Sequence, residues 1–149
     1  MPHPAELSRL LKDTAAALGF QLCGVCRAVE PTGFGRFAEW LDRGYAGDMR
    51  YLANRREAYR HPSHVLEGVR SIVMLGLPYV TAPPASVQPG QGRISRYAWG
   101  EGDYHDVIHD KLRQLLLSLA GHAQDAKARG VDDSAPLLER EFAELSRIG

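Results

Sequence analysis

A chain of 149 residues with 44% hydrophobic and 24% charged side chains is long enough to bury a core and too apolar for general disorder. Its 18 basic and 18 acidic residues cancel, so no whole-molecule field pulls it toward nucleic acid. Apolar runs such as 72–75 and 115–117 are far too short to cross a bilayer, and Met1-Pro2-His3-Pro4 does not read as a secretory leader. Two cysteines cannot form a disulfide scaffold, and a reducing, cytoplasmic location with no membrane contact is expected.

Leu7, Leu10, Leu11, Ala15 and Leu18 recur at helical spacing behind Pro4, and Gly19 supplies a stop, which predicts a helix over 4–18. Residues 21–27 read as a short strand. Residues 33–43 read as a helix closed by Gly44 that turns Phe37, Trp40 and Leu41 inward. A further helix is expected over 49–59, ended at His61-Pro62 because the pyrrolidine ring disfavours a helical residue before it.

Residues 71–78 are nearly all apolar, the pattern of a central strand covered on both faces. The stretch 80–92, with Pro83, Pro84, Pro89, Gly90 and Gly92, is a loop of a length usually tied to function or mobility. Asp103 is placed to cap a helix running to about Ala120, with Val107, Ile108, Leu112, Leu115, Leu116 and Leu119 on its buried side and Gly121 as terminator. A brief strand over 130–133 and a closing helix over 135–145, with Pro136 in its first turn, complete the chain. These elements predict an α/β fold, a single domain with helices packed around a small central sheet.

Polar chemistry concentrates in two segments. In the first, Tyr97, Trp99 and Tyr104 alternate with Gly100 and Gly102, which suits either core packing or a flat stacking platform with close backbone approach. His105 follows in the first helical turn, where the helix dipole favours the neutral imidazole. With His109 it forms a His-x-x-x-His pair, but Asp106 stands where the metalloprotease motif has Glu and no third ligand is evident, so no metal site is expected. In the second segment Asp133 either caps the closing helix, as Ser134 beside it also could, or is a carboxyl desolvated until it keeps a proton at neutral pH. Cys23 and Cys26 read as small buried hydrophobes rather than ligands, since residues three apart on a strand face opposite sides. Arg50, Arg55, Arg56 and Arg60, interleaved with Tyr51 and Tyr59, form either a solvated helix face or a set of phosphate contacts.

Five blocks in register carry a resemblance. They are Leu18-Gly19-Phe20-Gln21-Leu22-Cys23-Gly24-Val25; the run from Trp40 through Gly47-Asp48-Met49 to Leu52; Gly68-Val69-Arg70-Ser71-Ile72-Val73-Met74; Arg96-Tyr97-Ala98-Trp99-Gly100-Glu101-Gly102-Asp103-Tyr104-His105; and Asp133-Ser134-Ala135-Pro136-Leu137-Leu138-Glu139-Arg140. Over nearly its whole length the chain resembles the N-terminal domain of the epoxyqueuosine reductases, cobalamin-dependent iron–sulfur enzymes of tRNA modification.

The resemblance implies an oxidoreductase that converts epoxyqueuosine to queuosine at the wobble position of tRNA. Asp133 would be its proton donor and His105 its assistant. Tyr97, Trp99, Gly100, Asp103, Tyr104 and Ser134 would lie at the cobalamin and substrate pocket, and Arg50, Arg55, Arg56 and Arg96 would contact RNA phosphates. One departure is Asp132, which stands where the family has a hydrophobic residue; a second carboxylate there would raise the Asp133 pKa further and strain a buried strand.

The family continues into a ferredoxin-like module with two iron–sulfur clusters, whereas this chain stops at Ser146-Arg147-Ile148-Gly149. The expectation is an incomplete, monomeric piece, inactive alone and reliant on an external electron donor. The alternative is a non-catalytic corrinoid-binding remnant or a cobalamin-processing module.

Overall fold

His3 opens the first helix, α1 (Pro4–Ala17), by accepting the Ala5 N–H on its ring Nδ1 (3.3 Å) while the Glu6 carboxylate accepts the His3 N–H (3.2 Å). The structure, a computed structural model, describes residues 3–79 and 82–149; Met1-Pro2 and the first two residues of the expected loop, Val80 and Thr81, lie outside the described residues. Gly19, at φ +89°, turns the chain out of α1, and Lys111 Nζ donates to the Leu18 carbonyl at 2.5 Å from the third helix turn of the opposite element.

Strand β1 (Leu22–Arg27) follows and pairs antiparallel with β2 (Ser71–Gly76), Leu22 opposite Gly76 and Arg27 opposite Ser71. Among the described residues this two-stranded sheet is the whole of the β structure. The mixed α/β class holds, but β2 is not a central strand covered on both faces. It has one strand neighbour, and Ile72 to Gly76 are only half-buried. A continuous apolar run signals how much cover a strand calls for, and the described residues supply part of it.

Helix α2 (Phe34–Asp42) begins where the Glu141 carboxylate fills the vacant donors of its first turn, accepting from Gly33 N–H (2.9 Å), Thr32 O–H (2.8 Å) and Thr32 N–H. A Cβ at Gly33 would sit 2.6 Å from Glu141 Oε2, so a larger residue there would push the carboxylate from its place. Phe34 and Ala38 are buried together with Tyr59, while Phe37, Trp40 and Leu41 are half-buried, so the inward stripe is rotated from the one expected. The expected helix over 49–59 splits into α3 (Arg50–Asn54) and a 3₁₀ turn (Arg56–Arg60). No residue of α3 is buried. The break at Arg55 (φ −110°) swings Tyr59 beneath α2, its ring centroid 4.8 Å from that of Phe37.

Helix α4 (Tyr104–His122) starts at Asp103 as expected, runs through Gly121, buries Leu115 and leaves Val107 on the exposed side. The expected strand over 130–133 is absent, and the closing helix α5 spans Glu139–Leu145 rather than starting at Ala135. Neither Asp133 nor Ser134 caps it; Leu138 is its cap residue. The reason lies in Asp132, whose Oδ1 accepts both the Ser134 N–H (3.0 Å) and the Ser134 hydroxyl (2.6 Å), folding 132–134 into a side-chain-closed turn. Phe142 on α5, 1% exposed, anchors that helix to the body. The accessible surface is 10707 Å², against about 7,500 Å² for a folded monomer of this mass.

Candidate functional site

The first two turns of α4 and the 132–134 turn are stitched together by three side chains on one helical face. Asp103, the cap residue, accepts the His105 N–H at 2.9 Å and also meets His105 Nδ1 at 2.7 Å, which fixes the imidazole ring. His105 Nε2 then lies 3.2 Å from Asp133 Oδ1, and the Tyr104 hydroxyl donates to Asp133 Oδ2 at 2.8 Å. One turn on, His109 Nε2 is 2.8 Å from Asp132 Oδ2. Tyr104 stacks on His105 with ring centroids 4.0 Å apart, and Tyr97 meets Tyr104 edge-on at 5.7 Å.

The electrostatics follow from these contacts. The hydrogen bond to Asp133 pushes the Tyr104 phenol up to about 12, so it keeps the proton it donates to Asp133 well above neutral pH. The hydrogen bond to Asp103 raises the His105 pKa, with Asp133 and Asp132 adding to it. Three carboxylates within reach thus act against the helix dipole on which the expectation of a neutral imidazole rested. The His105 N–H in turn holds Asp103 below the usual carboxylate range. Asp132 is also held low, first by the Ser134 hydroxyl. It is the buried member of the acidic pair, its side chain 4% exposed, whereas that of Asp133 is 55% exposed. The desolvation expected at Asp133 is therefore not in place in these residues, and Asp132 strains no strand because none forms there.

The desolvated carboxyl is Glu139, which sequence reasoning left out of the site. Burial raises its pKa first, and the charges of Asp133 and Asp132 raise it further. Its signal was present in the sequence as the acid that follows Asp133-Ser134-Ala135-Pro136 by two leucines. His109 was weighed only as a metal ligand, yet it secures the turn through Asp132. Carboxylate and imidazole atoms of His105, Asp132 and Asp133 lie within 4.8 Å of one another, a set that takes in one histidine of the His-x-x-x-His pair and not His109.

The remaining expected residues divide. Trp99 is 40% and Tyr97 55% exposed; the Trp99 indole N–H donates to the Ile94 carbonyl (3.0 Å), and the Arg96 guanidinium lies 5.8 Å from the Trp99 ring centroid. Gly102 has open space where a Cβ would stand, and Gly100 meets only Gly102 backbone, at 3.6 Å. Ser134 faces the site by its turn, and its carbonyl accepts from Arg55 Nη1 at 2.9 Å. Arg56 is turned away from such a role by a two-bond ion pair with Asp42 (2.6 and 3.1 Å), while Arg50 is exposed on α3. Cys23 and Cys26 are half-buried rather than buried. Burial raises both thiols, which suits neither nucleophile nor ligand, and Cys26 Sγ points to the Phe142 carbonyl at 3.8 Å.

The family model described as "Epoxyqueuosine reductase QueG, DUF1730" matches residues 60–134, which contain Tyr97, Trp99, Asp103, Tyr104, His105, His109, Asp132 and Asp133. The chain belongs to the epoxyqueuosine reductase family. An epoxyqueuosine reductase of Gloeobacter violaceus is 38% identical over 147 residues, covering 97% of this chain and 45% of that protein. That of Cyclobacterium marinum is 34% identical over 147 residues (95% and 46%), and that of Escherichia coli 30% over 156 residues (100% and 41%). The chain thus spans about half the length of the epoxyqueuosine reductases it matches. No solved structure matches it. Among the described residues no helix is long and apolar enough to cross a membrane.

Proposed function

We propose that the chain forms the substrate- and cobalamin-facing part of an epoxyqueuosine reductase, acting in the cytoplasm on the wobble nucleotide of tRNA. The reaction takes in two electrons and two protons and releases the epoxide oxygen as water, leaving the alkene of queuosine. The observation that carries the reading is the Tyr104–His105–Asp133 constellation, a proton-carrying group set beside an exposed aromatic and glycine face. Tyr97, Trp99 and the open backbone at Gly100 and Gly102 fit one face of a flat corrin, and among the described residues neither glycine has crowding to account for it. When bound, the corrin supplies the electrons.

The chain's own residues handle the proton. Asp103 holds the His105 ring and favours its protonated form, which places an N–H against Asp133 Oδ1. Asp133, exposed toward the aromatic face, passes that proton to the departing oxygen, and the Tyr104 hydroxyl keeps the carboxylate in register. Glu139, half-buried in the segment that follows the turn and with its pKa raised by that burial, is the acid proposed to restore it. The electrons would come from an external donor or from the family's cluster module.

The test is titration of the chain with hydroxocobalamin, followed by a chemical reductant and RNA bearing epoxyqueuosine, with queuosine read by mass spectrometry. A change in the corrin spectrum on mixing, conversion by the unaltered chain, and a loss of about 10²-fold or more in Asp133→Asn are expected. Conversion at the unaltered rate in Asp133→Asn removes that residue from the mechanism. Corrinoid binding without any conversion favours the remnant or processing alternative.

A further inference from the structure

An open cleft of about 350 Å³ lies beside the 132–134 turn, lined among others by Arg55, His64, His109, Arg129, Asp132 and Ser134. Its two arginines differ from most others engaged on this surface. Arg43, Arg56, Arg60 and Arg113 are each ion-paired to a carboxylate. Among the described residues neither Arg55 nor Arg129 has a carboxylate within 4.0 Å; each instead donates one Nη1–H to a backbone carbonyl at 2.9 Å, Arg55 to Ser134 and Arg129 to Val65. A guanidinium has five N–H donors in a fixed fork. One tether to a neutral acceptor orients the fork while leaving its charge and most donors for a ligand.

The carboxylate of the lining, Asp132, has both oxygens engaged within the chain. Its side chain is 4% exposed, with one oxygen occupied by Ser134 and the other by His109. Two tethered, uncompensated guanidiniums and two imidazoles around an open, polar cleft make a receptor for a compact oxyanion.

We infer that this cleft seats a phosphodiester of the RNA strand, next to the nucleotide presented to Asp133. The inference rests on the reading of the chain as an RNA-acting reductase. It adds a binding subsite in which Arg55 acts with Arg129 and His64, residues outside the aromatic face. Because Arg55 and His109 both hold the 132–134 turn, a phosphate seated there also braces Asp133.

The experiment is anisotropy of a labelled, unmodified RNA hairpin titrated with the chain alone at several salt concentrations, without corrinoid or reductant. Arg55→Ala and Arg129→Ala are each expected to weaken binding about three- to ten-fold and to lower the log–log salt slope by about 0.7. Arg9→Ala, an equal change of charge on α1, is expected to shift affinity less than about two-fold. Inorganic phosphate should compete with the hairpin and move the amide resonances of Gly130, Val131 and Ser134. Equal effects from all three substitutions, or none from Arg55→Ala and Arg129→Ala, overturn the inference. In a separate hydroxocobalamin titration, a loss confined to cobalamin binding overturns it too, since that cofactor carries its own phosphodiester. Should Arg129→Ala unfold, the phosphate titration of the unaltered chain decides, and unmoved resonances at 130–134 refute the site. The hairpin titration involves no corrinoid, reductant or turnover, so failure of the catalytic reading and failure of the cleft are told apart.

Discussion

Removing the Asp132 side chain tests whether the buried carboxylate holds the site together. In Asp132→Ala the Ser134 N–H and hydroxyl lose their common acceptor and His109 loses its partner at 2.8 Å. Hydrogen bonds to a charged acceptor contribute roughly 1.5–3 kcal/mol each, and the cost of burying the carboxylate offsets much of their sum. The net loss at pH 7 should be about 2 kcal/mol, which lowers the melting temperature of a chain of this size by about 5–8 °C. The pH dependence has a definite sign. The folded-state pKa of Asp132 is depressed, so its contribution is complete above the ordinary carboxylate pKa of about 4 and disappears as pH falls through the folded value. Thermal unfolding followed by circular dichroism, at pH 7 and in steps toward pH 3, should show a gap between the two proteins that narrows with acid. Asp132→Asn keeps an oxygen for Ser134 and should retain about half of the difference. An unchanged melting temperature in Asp132→Ala at pH 7, or a gap independent of pH, refutes the account.

Three further outcomes are expected. His105 should titrate above 6.5 in an NMR experiment, and Asp103→Asn should bring its midpoint down; a midpoint that does not move in that variant denies Asp103 its role. The Tyr104 ring should stay protonated at about pH 11, where an ordinary tyrosine is ionised, and Asp133→Asn should return it toward 10.0, as read from ¹³C-labelled tyrosine. Gly24→Ala places a Cβ against the Ser146 carbonyl oxygen and 2.7 Å from Ile148 Cγ2, so it should cost about 1–3 kcal/mol in denaturant unfolding; a neutral result means that the last residues do not pack on β1.

Much of this architecture was legible because local signals and tertiary packing agreed. Leu11 and Ala15 are buried on α1 where the spacing put the apolar face, and Asp103 caps α4 because a short acid before Tyr104-His105 has few better uses. Legibility failed where a side chain competed with the backbone. Val131 between Gly130 and Asp132 reads as a strand, but Gly130 lies against Leu112 and Leu116 and Asp132 closes a turn on Ser134. Pro136 reads as a helix start, yet the turn postpones α5 to Glu139. The site's residue types were visible, but its protonation pattern was not. Which of Asp132, Asp133 and Glu139 is desolvated depends on the path of 132–138, and that path is set by contacts reaching from Arg55 and His109.

The two paired strands have a practical consequence. Each carries an outer row of amide and carbonyl groups with no strand beside it among the described residues, and the side chains between those rows include Ile72, Val73, Met74 and Leu75, none of them fully covered. Such a rim is a template for intermolecular ladder growth, and growth of that kind rises steeply with concentration. Dilute samples, and lysine placed outward on β2, are therefore the means of keeping this polypeptide dispersed long enough for its chemistry to be measured.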